Sequence, residues 1–135
     1  MTVHGAGSAI RKDIVLRFAQ FKFDMSAKIT ALVITLLINL AAGVIGLFSM
    51  LLALNGFSEE DGSYGLGAYI VLGLGVTVLM SAGASMLVHI LLKRGFRKIT
   101  SVLIAILIFS VTGVVLKIVC GIIGVLIADY VRVNF

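Results

Sequence analysis

Three unbroken apolar runs dominate the chain: roughly residues 28–54, 66–92 and 99–128. Each is longer than the ~20 residues that carry a helix across ~30 Å of hydrocarbon. Inside a bilayer every backbone N–H and C=O must find its partner within the protein, which leaves only helices and closed barrels. The runs are long and lack strict alternation, so the expected fold is an all-α membrane protein with three transmembrane helices. Composition agrees: 61% of residues are hydrophobic and 13% charged. A water-soluble domain of 135 residues built from that mixture would display large aggregating patches. The chain has no proline, so no proline kink interrupts a span. The first apolar stretch far exceeds the 7–15 residues of a signal-peptide core and is expected to stay as a span.

Charge orients these spans. Arg11, Lys12, Arg17, Lys22 and Lys28 precede the first, and Lys93, Arg94, Arg97 and Lys98 separate the second from the third. The stretch from Asn55 to Gly65 reads as a polar loop that holds Glu59, Glu60 and Asp61 and no basic residue. The positive-inside rule then puts the N-terminus in the cytoplasm and the C-terminus outside. The same rule accounts for the net charge of +5 without nucleic acid. A bacterial or archaeal cytoplasmic membrane is the expected home, with an organelle membrane as the alternative.

Residues 1–24 carry a second pattern. Ile10, Ile14, Phe18 and Phe21 recur at helical spacing among Arg11, Lys12, Arg17 and Lys22, with Ser8 in place for an N-cap. This predicts a separate amphipathic arm on the cytoplasmic face. The arm meets anionic lipid, together with Lys93, Arg94, Arg97 and Lys98, or docks on a partner protein.

Lys117 is the residue that most demands explanation. It lies deep in the third run, where a lysine costs about 2.5–3.5 kcal/mol on insertion scales. The six acids are Asp13, Asp24, Glu59, Glu60, Asp61 and Asp129, and none falls in an expected span. Lys117 therefore pairs with an acid of another subunit, lines a wet or ligand-binding pathway, or snorkels or sits neutral against Asn39, Ser and Thr groups.

Helix packing is expected along stripes of small or polar residues. Gly73, Thr77, Ser81, Ser85 and His89 lie four apart in the second span. Ser110, Gly113, Lys117, Gly121 and Gly124 form a stripe in the third, and Thr35, Asn39, Gly43 and Gly46 one in the first. Such residues let helices approach closely, within a bundle or between subunits. Asn39 reads as interhelical glue and Cys120 as a small packing residue. Lys28-Ile29-Thr30 and Lys98-Ile99-Thr100 begin a weak echo between the first and third spans, the pattern of a parallel repeat.

No nucleophile–base pair, metal cluster, phosphate loop or redox pair appears, and neither His89 nor His4 has companions at ligand spacing. Neither enzyme activity nor a cofactor is expected. Three functions remain. The chain is an accessory or scaffolding subunit of a larger membrane complex, or a homo-oligomeric channel or transporter with Lys117 on an anion pathway, or a protein that binds anionic lipid or shapes membranes.

Overall fold

In the computed structural model, which describes residues 3–134, the chain is all-helical: α1 (Val3–Ala53), α2 (Glu59–Lys93) and α3 (Lys98–Asn134). The side chains of Val3 and His4 lie outside the described residues. All three helices are long and apolar enough to cross a membrane, and the molecule is a membrane protein. Large side chains such as Leu52, Val71, Leu107 and Val133 are exposed outside the bundle, where lipid and not water is the solvent that accepts them.

The helices pack pairwise, α2 against α3 most extensively. Their interior is divided along its length. At the basic end Ala27, Ala31, Ala84, Val88 and Ala105 form an apolar cluster. At the other end Met50, Leu54, Tyr69, Cys120 and Ala128 form a second. Between them the buried side chains are polar: Thr35, Asn39, Thr77, Ser81, Ser110 and Lys117.

Two expectations are corrected at helix boundaries. The amphipathic arm expected over residues 1–24 is not a separate helix, because from Val3 onward it runs without interruption into the first span as α1. Nothing between Ser8 and Ala42 is glycine or proline, so no residue there breaks the helix. Ser8 is no cap; its hydroxyl donates to the Gly5 carbonyl at 3.1 Å inside the helix. The second correction concerns the acidic stretch, most of which is helical. Ser58 caps α2, its Oγ accepting from the Asp61 amide at 3.2 Å. Glu59, Glu60 and Asp61 fill the first turn, where negative charge offsets the positive end of the helix dipole.

The basic turn is as tight as its sequence suggests. Gly95 has φ +85°, a left-handed value that glycine adopts without penalty, and its N–H donates to Leu92 at 3.1 Å. The Lys98 ammonium lies 3.6 Å from the Phe23 ring centroid. That contact sets Phe23 level with the start of α3, so residues 5–22 run on past the bundle. All of them are exposed.

Candidate functional site

Lys117 stands close to the middle of α3 and is 5% exposed. Its Nζ donates to the backbone carbonyl of Asn39 on α1. Among the described residues the one ion pair is the exposed Arg17–Asp13 contact at 3.4 Å, and no carboxylate stands within ion-pair distance of Lys117. The ammonium thus has one acceptor for three donors, and among the described residues no anion balances its charge.

Glycines make the room for this arrangement. A Cβ on Gly43 would lie 2.7 Å from Lys117 Nζ, and one on Gly113 would collide with the Asn39 amide oxygen. The Asn39 amide donates from Nδ2 to the Thr35 carbonyl one turn back, at 3.0 Å. From α2 the Tyr69 hydroxyl donates to the Gly43 carbonyl at 3.1 Å, against the bare backbone of Gly46. Two successive turns of α1 thus offer a carbonyl each, Asn39 to Lys117 and Gly43 to Tyr69. Close by, Thr35 Oγ1, Asn39 Oδ1 and Ser110 Oγ are buried without a hydrogen-bond partner, an uncommon state for buried polar atoms.

The small-residue stripes point into this chain's own bundle. Gly73, Thr77 and Ser81 of α2 are buried and Ser85 is half-buried, while His89 faces outward. On α3, Gly113 and Gly124 are buried and Gly121 is half-buried. Thr77 and Ser81 return their hydroxyls to their own helix, at Gly73 and Thr77. At Gly65 and Gly124 the backbones of α2 and α3 meet, a Cβ on either lying within 2.8 Å of the other's carbonyl oxygen. Cys120 is buried in the apolar cluster beside Tyr69.

The basic residues are scattered. Arg11, Lys12, Arg17 and Lys22 are exposed along the α1 extension, and Lys93, Arg94 and Arg97 are exposed around the turn. Lys98 is half-buried over Phe23. Among the described residues no three His, Cys, Asp or Glu side chains gather as metal ligands would.

Sequence reasoning did not reach Gly65 or Tyr69. The signal was present, since the four-residue stripe through Gly73 and Thr77 continues backward to Tyr69 and Gly65. It also missed that Ala42, Ser49 and Ala53 join Gly46 in a second small-residue face on α1, which lines an open groove against α3.

No protein family, no curated protein and no solved structure matches the chain.

Proposed function

We propose that this protein is an accessory or scaffolding subunit of a larger membrane complex. The observation that carries the reading is Lys117, a buried cation near mid-span without a carboxylate. Removing a charge from water costs several kcal/mol per ion unless a partner compensates, and a backbone carbonyl is a weak substitute for an anion. A subunit that supplies the anion resolves the imbalance. The exposed α1 extension supports the same reading, since Ile10, Phe18 and Phe21 are each more than 60% exposed beyond the end of the bundle. They would meet a partner's surface or the lipid boundary on the basic, cytoplasmic side.

The test is native electrophoresis of mildly solubilised membranes. The chain should migrate with larger subunits at a mass well above its own, and Lys117→Leu should release it. Migration as a free monomer that keeps its helical content would sink the reading.

One observation favours a second reading. The unpartnered oxygens of Thr35, Asn39 and Ser110 give the middle of the bundle a polar layer, as a wetted pathway in a homo-oligomer would have. Liposomes bearing the purified protein would then pass chloride, with a flux that Lys117→Ala alters.

A further inference from the structure

The outer halves of α1 and α3 stand apart around a groove of about 710 Å³ that is open to the surrounding lipid. One wall is low, because Ala42, Gly46, Ser49 and Ala53 recur along α1 at spacings of four, three and four. Such a stripe lets a further helix come close. The inner end of the groove is different in kind. Lys117 lines it, and Gly121, one turn further on, has no side chain to screen it. A Cβ on Gly121 would meet only the edge of the Tyr69 ring, at 4.0 Å.

We propose that this groove seats a transmembrane helix of another protein, one that carries Asp or Glu near mid-span to pair with Lys117. The inference rests on the subunit reading and names where the contact lies and what chemistry the partner brings. A carboxylate near mid-span on the partner would complement the charge of Lys117 at a fixed depth. The groove is apolar along its length, and Lys117 lines its inner end at the middle of α3. A second copy of this chain cannot complete it. The acids of α1 precede its bundled part, and the others lie at or near the outer ends of α2 and α3. A phospholipid chain also fits poorly. Its headgroup stays at the surface, so its terminal methyl would lie against the ammonium, which leaves the charge without a partner.

The experiment uses the full chain in phosphatidylcholine liposomes with synthetic Leu/Ala transmembrane peptides. Each peptide carries one central Glu or Gln and a diazirine-leucine one turn away, and adducts are mapped by mass spectrometry. The Glu peptide should mark groove residues such as Ser49 and Ile122 about tenfold more than the Gln peptide. The difference should vanish in Lys117→Met, a variant that removes the charge and keeps the bulk. Equal labelling by the two peptides, labelling on the outer face of α2 around Val71 and Val78, or an unlabelled groove would each overturn the proposal. A native complex that survives Ser49→Phe would leave the chain a subunit and exclude the groove as its contact.

Discussion

Lys117 behaves differently in the isolated chain and in an assembly, and the two can be separated. Alone, the side chain brings a charge into the bundle with one backbone acceptor. Replacing a buried charge by an apolar group of similar volume is often stabilising. Lys117→Met should therefore raise the stability of the purified protein in detergent by about 1–3 kcal/mol, as read from a denaturant titration. A loss of stability would mean that the Asn39 carbonyl contact outweighs the desolvation. Gly113 makes the opposite case. Its Cα faces the Asn39 amide so closely that a methyl group has no space, and Gly113→Ala should cost about 1–3 kcal/mol. Gly67 is exposed with nothing near its missing Cβ, so Gly67→Ala should be neutral or gain up to about 1 kcal/mol. Equal responses of the two variants would contradict the close approach. The sequence marks Lys117 as an anomaly because a lone charge in an apolar run is visible without a fold. It does not mark the acceptor, because every residue has a backbone carbonyl and only the crossing of α1 and α3 selects that of Asn39.

At the scale of elements, the extent of α1 is the least legible in the sequence. The pattern of Ile10, Ile14, Phe18 and Phe21 is real, and all four are exposed. What misleads is the change of composition near Lys28, which resembles a boundary but contains no residue that stops a helix. Hydrophobic periodicity reports which face is apolar, whereas helix ends are set by caps, glycine and proline. The same distinction explains α2, where an acidic stretch resembles a loop and is helical because Ser58 caps it. Spin labels at Ser8→Cys and Ser49→Cys, in a Cys120→Ala background, decide the matter for α1. A continuous helix separates these positions by about 62 Å along its axis. An arm folded flat on the membrane after residue 24 would bring them to about 45 Å. A pulsed dipolar distance near the shorter value would show that α1 bends in the bilayer.

For the molecule as a whole, the charges that orient it gather at opposite ends of one bundle. Lys93, Arg94, Arg97 and Lys98 surround the α2–α3 turn, while Glu59, Glu60 and Asp61 fill the first turn at the far end of α2. Moving these groups across a bilayer together costs far more than any single packing contact, so one orientation should prevail. The interior is graded in the same direction. An alanine-rich cluster lies at the basic end, a polar layer follows, and a cluster with Met50 and Tyr69 lies at the acidic end beside the open groove. If the basic end is cytoplasmic, the groove opens into the outer leaflet. An impermeant maleimide added to intact cells then reaches Ser63→Cys in the Cys120→Ala background. It reaches Phe96→Cys only after permeabilisation. Phe96 is the better reporter of the basic turn because its replacement leaves all four neighbouring cations in place. The reverse labelling pattern would put the basic turn outside, turn the groove toward the inner leaflet, and show that a constraint stronger than the charge bias sets the topology.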